Sequence, residues 1–281
     1  MLAGGVTRGR KDEVTNQLLI MEDSNIEWTD DTFNPWIGCT KVSPGCANCY
    51  AAEQNKLRKW VGNGEWNGQR RLTSDANWRK PLQWNKEAEN TGKRRRVFCA
   101  SLADWLDDQV PVHWLARLLS LIHHTPNLDW LLLTKRPQNW MPRLIEASQC
   151  VGVIDNIVLP WLNGTGPANV WVGTTAEDQM RADERIPDLL TIPARVRFLS
   201  VEPMLGPVDI RGIGGIHWVI CGGESGPHFR PLEIEWMQNL SDQCPAGWIA
   251  FFGKQDSHRQ PGQRGRIPDA LWNRKEFPIL H

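Results

Sequence analysis

Six short apolar runs beyond residue 96 do most to limit the fold. They are Val97-Phe98-Cys99-Ala100, Trp130-Leu131-Leu132-Leu133, Val170-Trp171-Val172, Val196-Arg197-Phe198-Leu199, His217-Trp218-Val219-Ile220 and Trp248-Ile249-Ala250-Phe251-Phe252. Near-continuous apolar runs of this length read as strands covered on both faces, as in a parallel sheet. Each ends in polar or glycine-containing sequence, for instance Ser101-Leu102-Ala103-Asp104, Thr134-Lys135-Arg136-Pro137 and Gly222-Gly223-Glu224. Between most of them lie helical stretches. His113 to His124 carries its apolar residues on a 3.6-residue pattern, and Gln138 to Ser148, Gln179 to Leu190 and Glu233 to Gln243 are weaker versions. The Gly206 to Gly215 link is glycine-rich and predicts no helix. With a first strand ahead of residue 38, the pattern predicts an α/β chain forming an incomplete (β/α) barrel. In barrels the working residues sit after the carboxyl ends of the strands.

Those working residues would surround one loop. Gly38-Cys39-Thr40-Lys41-Val42-Ser43-Pro44-Gly45-Cys46-Ala47-Asn48-Cys49-Tyr50 brings three cysteines together in polar sequence broken by Pro44 and Gly45, and Tyr50 to Trp60 then has helical composition. Thiolates are soft ligands for iron–sulfur clusters and for zinc. A structural zinc usually closes with four protein ligands, whereas three thiolates on a four-iron cluster leave one iron open. The nearest further candidates, Cys99 and His113, are distant in sequence. Zinc and plain core thiols remain alternatives to a cluster. An odd count of seven cysteines and the lack of a secretory signal argue against disulfides. Cys99, Cys150, Cys221 and Cys244 read as core thiols.

The remaining sequence adds boundaries. Residues 1–25 read as a disordered tail, within which Met21 is a second possible start, and 26–281 as one domain. An insertion or lid is expected at about 61–92, where Asn, Gly and Trp break the pattern. Lys93-Arg94-Arg95-Arg96 reads as a solvated approach to a strand. The segment after Gln255, rich in Arg, Gly and Pro, is expected to cross the barrel or stay partly mobile. Formal net charge is zero, so no global field favours nucleic acid, although a nucleotide or a locally bound strand stays open. No apolar run approaches the ~20 residues that span a membrane. Of 16 tryptophans, those inside apolar runs (Trp130, Trp171, Trp218 and Trp248) are expected in the core.

Several motifs together resemble one family. Asn34-Pro35-Trp36-Ile37-Gly38-Cys39, Cys46-Ala47-Asn48-Cys49-Tyr50, Thr134-Lys135-Arg136-Pro137, Gly173-Thr174-Thr175, Ser200-Val201-Glu202-Pro203 and Gly222-Gly223-Glu224-Ser225-Gly226 look like the phage Gp37/Gp68 family, a three-Cys-motif group itself similar to radical S-adenosylmethionine enzymes. The resemblance runs from about Ile26 to the end. It implies a barrel of the radical-SAM type and a [4Fe-4S] cluster on Cys39, Cys46 and Cys49 that binds S-adenosylmethionine. The resulting 5′-deoxyadenosyl radical would act on a substrate of unknown identity, for which a nucleotide, a nucleic acid or a partner-delivered molecule is the candidate. It also implies a reductant, a three-Cys-motif partner protein, no membrane, and the cytoplasm of a bacterium or phage-infected host. The loop departs from the commonest superfamily pattern, with six residues between Cys39 and Cys46 and Asn48 ahead of the last cysteine. The Gly-Gly-Glu motif also comes late in the chain.

In that setting Lys135 and Arg136 can pair with the methionine carboxylate or with a substrate phosphate. Thr174, Thr175 and Glu177 can bind ribose hydroxyls, and Glu202 and Glu224 can meet the cofactor amine or a polar substrate. Each of these residues can equally be a helix cap or a surface ion pair. Ser101 and Asp104 resemble a helix cap and a first-turn acid. The alternative function is a non-catalytic module, stabilised by zinc or a cluster, that binds DNA or a partner protein.

Overall fold

The computed structural model describes residues 26–150, 156–245 and 247–279, so the expected tail, Met21 included, lies outside the described residues. The chain runs β1 (Asp31–Thr32), β2 (Trp36–Ile37), α1 (Tyr50–Arg58), β3 (Arg71–Leu72), α2 (Asp75–Thr91), β4 (Arg95–Cys99) and α3 (Val112–His123). It continues through β5 (Leu128–Thr134), α4 (Trp140–Ser148), α5 (Val158–Leu162), β6 (Val170–Thr175), α6 (Gln179–Thr191) and β7 (Val196–Val201). β8 (Trp218–Gly222), α7 (Ile234–Asp242), β9 (Ala250–Gln255) and α8 (Asp269–Trp272) complete it. Seven strands form one curled parallel sheet in the order β1-β4-β5-β6-β7-β8-β9, with β1 and β9 as its unjoined edges. This is the incomplete barrel that the sequence predicts. β2 and β3 pair separately as a small antiparallel ribbon. No helix among the described residues is long and apolar enough to cross a membrane.

The strands are apolar on both faces because they separate two cores. Val97, Trp130, Leu132, Val172, Leu199 and Val219 face the helices. Phe98, Leu131, Trp171, Phe198, Trp218, Ile220 and Phe252 fill the concave side together with Trp28. Trp218 is central there, with ring centroids 5.8 Å from Phe198, 6.0 Å from Trp171 and 6.1 Å from Trp28. Gly173 makes room for this filling, since a Cβ there would lie 2.3 Å from the Phe198 ring. One tryptophan departs from expectation. Trp248 precedes β9 in a turn and is 83% exposed.

The segment at 61–92, read as an insertion or lid, contributes to both the core and the candidate site. Asp75–Thr91 form α2, which buries Trp78, Pro81, Trp84 and Ala88 along one face. Ser74 caps it by accepting from the Asn77 N–H, and Gly92 ends it at φ 65°. Its hydrophilic composition and internal proline hide it from periodicity. The part before α2 rims the candidate site described below, and α2 itself adds Asn77, Lys80 and Trp84 to it. The basic run is less solvated than expected: Arg94, Arg95 and Arg96 pair with Asp129, Asp31 and Asp30.

The C-terminal segment crosses the barrel's amino end. Its backbone runs antiparallel to β9, with Gly253 N–H donating to Arg274 C=O (2.9 Å) and Glu276 N–H to Phe251 C=O (3.0 Å). Lys275 reaches Glu27 ahead of β1, and Phe277 packs on Trp218 and under the Arg96 guanidinium. The edge of β9 is thereby covered rather than left to pair with another chain. Gly173→Ala should destabilise the fold by about 1–3 kcal/mol, because the Phe198 ring must leave its rotamer or the strands must part. Equilibrium urea unfolding of the variant measures this, and an unchanged midpoint would contradict the packing described.

Candidate functional site

At the carboxyl ends of the strands lies a cavity of about 1120 Å³. Its wall takes one or more residues from the carboxyl end of every strand of the sheet or just beyond it: Asn34, Ser101, Lys135, Thr175, Glu202, Ser225 and Lys254. Cys39, Cys46 and Cys49 line the same cavity. The sheet direction causes this convergence, since parallel strands deliver all their exits to one end. The cysteine loop enters from β2, and Cys49 is the N-cap residue of α1. Gly38 is a glycine by necessity: its φ is +107°, and a Cβ would lie 2.0 Å from the Gln69 carbonyl oxygen.

The loop has little regular structure, so its polar groups need partners from elsewhere. Three charged groups at the strand ends supply them. After β5, Arg136 donates from Nη2 to the Thr40 carbonyl (2.7 Å) and from Nη1 to Asp104 (3.0 Å). After β6, Glu177 accepts from the Gly45 N–H (3.1 Å) while paired with Arg185 at 2.9 Å. After β8, Glu224 accepts from the Asn48 side-chain amide (2.9 Å) and is paired with Arg230. Asn48 also donates to the His228 carbonyl (2.7 Å).

Asp104 is the hub of the first tether. Buried, it also accepts from Thr134 Oγ1 (2.6 Å), the Lys135 N–H (2.8 Å) and the Leu106 N–H (3.0 Å). Burial works against ionisation of Glu177, but the Arg185 charge and the Ser43 hydroxyl outweigh it and hold the carboxyl below its ordinary value. Burial opposes ionisation of Glu224 as well, and the hydrogen bonds from Arg230 and Asn48 overcome it, so that carboxyl is also held low. Burial pushes the Cys39 thiol up to about 12, with the Cys49 thiol and Asp104 adding to the effect and Arg136 opposing it.

The expected cofactor-binding residues therefore divide. Arg136, Glu177 and Glu224 direct their charges to the loop, and of these only Arg136 also lines the cavity. Thr174 donates to the Thr134 carbonyl (3.0 Å) inside the sheet and does not line the cavity. Lys135, Thr175 and Glu202 do line it. Among the described residues, Thr175 Oγ1 is fully buried without a hydrogen-bond partner, and Glu202 faces Lys254 at 2.7 Å. Ser101 holds Asn34 (3.0 Å) on the cavity wall. Sequence reasoning missed the weight of Asp104, the tether through Asn48 and the part of Lys254. A buried acid beside Thr134-Lys135-Arg136 gives no periodic signal, but Asn48 ahead of the last cysteine is a visible departure from the commonest superfamily loop.

The thiols share the cavity without converging on one ion: among the described residues no group of three or more His, Cys, Asp or Glu forms a single-metal site. Cys99 and His113 do not line the cavity, and Cys99 is wholly buried between sheet and helices. Cys221 and Cys244 are buried core thiols as expected, and Cys150 is half-buried.

The chain belongs to the family described as a protein of unknown function, DUF5131, whose model matches residues 23–271. No curated protein and no solved structure matches it.

Asp104→Ala leaves the Arg136 guanidinium buried and unpaired, which should cost about 3–5 kcal/mol of stability. The same change should speed amide hydrogen exchange in residues 40–49, because Arg136 no longer holds the Thr40 carbonyl. Slow exchange retained in the loop would show that this tether is not what orders it.

Proposed function

We propose that the chain is an enzyme of the radical S-adenosylmethionine type, with the strand-end cavity as its active site. The observation that carries this reading is the convergence of three thiols, with no fourth among the described residues, on a cavity ringed by every strand end of the parallel sheet. The donor set fits a four-iron cluster with one iron left for a small molecule, since such clusters otherwise take four thiolates. It fits zinc less well, because four-coordinate structural zinc needs Zn–S bonds of about 2.3 Å from ligands gathered around one point. Cys39, Cys46 and Cys49 would hold the cluster. When bound, it supplies a single electron to the sulfonium of S-adenosylmethionine.

The chain's own residues then bind, orient and exclude water. Lys135 offers an ammonium to a carboxylate, and Thr175 Oγ1 offers a buried hydroxyl that lacks a partner among the described residues. Glu202 offers an acceptor for an amine or hydroxyl, with its charge balanced by Lys254. The floor is aromatic, with Trp28 and Phe98 both reaching the cavity, which keeps bulk water from the reacting centre. Arg136, Glu177 and Glu224 act as positioning residues, fixing the loop that carries the thiols. This reading requires an external one-electron reductant, suits the reducing cytoplasm, and keeps a three-Cys-motif protein as a candidate partner.

Anaerobic purification followed by iron, sulfide and zinc analysis tests the proposal. About four irons and four sulfides per chain are expected, together with an EPR signal that changes on adding S-adenosylmethionine. Cys39→Ala should abolish the signal, while Thr175→Val should keep the iron and weaken the response to S-adenosylmethionine. One zinc per chain without iron, and unfolding on chelation, would instead establish the zinc-stabilised module.

A further inference from the structure

The charges that line the cavity are not balanced among themselves. Its three carboxylates are all paired: Asp104 with Arg136, Glu202 with Lys254, and Glu27 with Lys275. Three of its cations are not. Among the described residues, Arg71, Lys80 and Lys135 form no ion pair, although Lys80 and Lys135 are half-buried, where a lone ammonium has lost part of its hydration. Lys135 lies close enough to Glu177 to be felt by its carboxyl, but that acid is committed to Arg185 and the Gly45 N–H. A chain with no net charge thus concentrates uncompensated positive charge in one cavity.

Two further features accompany the cations. Tyr50 is 50% exposed on the cavity wall, and Trp60 is half-buried there. A second cavity of about 580 Å³ shares Trp60 and Arg71 with the first, and Lys59, Asn63, Asn67 and Gln69 extend it, with Glu65 its one carboxylate and Arg70 paired to Asp107. A cationic track interleaved with accessible aromatic faces is the pattern by which proteins hold single strands, with charge following the phosphates and rings stacking on bases. An isolated mononucleotide would not need the second cavity.

We infer that the cavity and its annex bind a single-stranded nucleic acid, with Arg71, Lys80 and Lys135 meeting its phosphates and Tyr50 and Trp60 its bases. One nucleotide of the strand would reach the main cavity, while its neighbours would cross Trp60 and Arg71 into the annex. This inference takes the cavity as the substrate site and rests on the preceding proposal for that point alone.

Fluorescence anisotropy with a 5′-labelled oligothymidylate of about 12 nucleotides, a length typical of one strand-binding groove, tests it on the full-length anaerobic protein. Iron is assayed on the same sample. The oligonucleotide should bind in low salt, with affinity falling as salt rises. Arg71→Gln with Lys80→Gln should weaken binding at least tenfold and reduce the log–log salt slope by about 1.4, as expected when two phosphates of a single strand are no longer neutralised. Lys86→Gln, on an exposed part of α2 away from the cavity, should change neither. Trp60→Leu gives a second reading that leaves charge untouched, and should weaken binding through lost stacking. Absence of binding in low salt would overturn the inference, as would equal binding by the Arg71/Lys80 variant. Competition by thymidine monophosphate as effective as that by the strand would also overturn it. Strand binding by protein free of iron supports this inference while removing the cluster. Iron and a cofactor-sensitive EPR signal without strand binding would remove this inference and leave the enzyme.

Discussion

The buried pair between Asp104 and Arg136 is the contact on which the candidate site depends. It joins the exit of β4 to the exit of β5, and its guanidinium carries the connection on to the Thr40 carbonyl. That connection helps to hold the cysteine loop over the sheet, because the loop's sequence is polar and its own hydrogen bonds are few. Glu177 and Glu224 repeat the device from β6 and β8. Each carboxylate is paired with an arginine, so each sits buried with its charge compensated while still accepting a bond from the loop. An irregular segment is thereby fixed by a rigid sheet, an arrangement that suits a centre needing ligands held in place.

Much of the scaffold could be read from the chain because its signal is local. Runs such as Trp130-Leu131-Leu132-Leu133 are apolar at successive positions since each face of the sheet meets its own core. Helix α3 shows its face as a clear 3.6-residue pattern, and the link from β7 to β8 indeed lacks a helix. What escaped reading depends on partners far away in sequence. Helix α2 is hydrophilic as a whole and packs only four residues against strands still to come, so periodicity gives it little weight. Trp248 sits in an apolar run but falls in the turn before β9, which no run of residues announces.

The site divides along the same line. Residue type and strand-end position were enough to gather Lys135, Thr175 and Glu202 around the cysteines, and all three line the cavity. The same criteria gathered Arg136, Glu177 and Glu224, whose charges turn out to hold the loop. Position after a strand says that a side chain is near the centre. Whether it is free depends on a second residue, such as Asp104, Arg185 or Arg230, that sequence proximity does not identify. Gly173-Thr174 shows the limit most plainly: a motif near the site proves to be packing, with the glycine yielding space to Phe198 and the threonine tied to a neighbouring strand.

The aromatic filling around Trp218 has a consequence for the order of events. Trp28, Trp171, Phe198 and Phe252 crowd the concave side of the sheet, and the C-terminal segment lies across its amino end. Lys135, Thr175 and Glu202 stand at the strand ends against this filling, whereas Arg71 and Trp60 stand where the cavity meets its annex. On the proposed reading, a cofactor seated against the strand ends would be loaded before a strand that crosses the annex, and would leave after it.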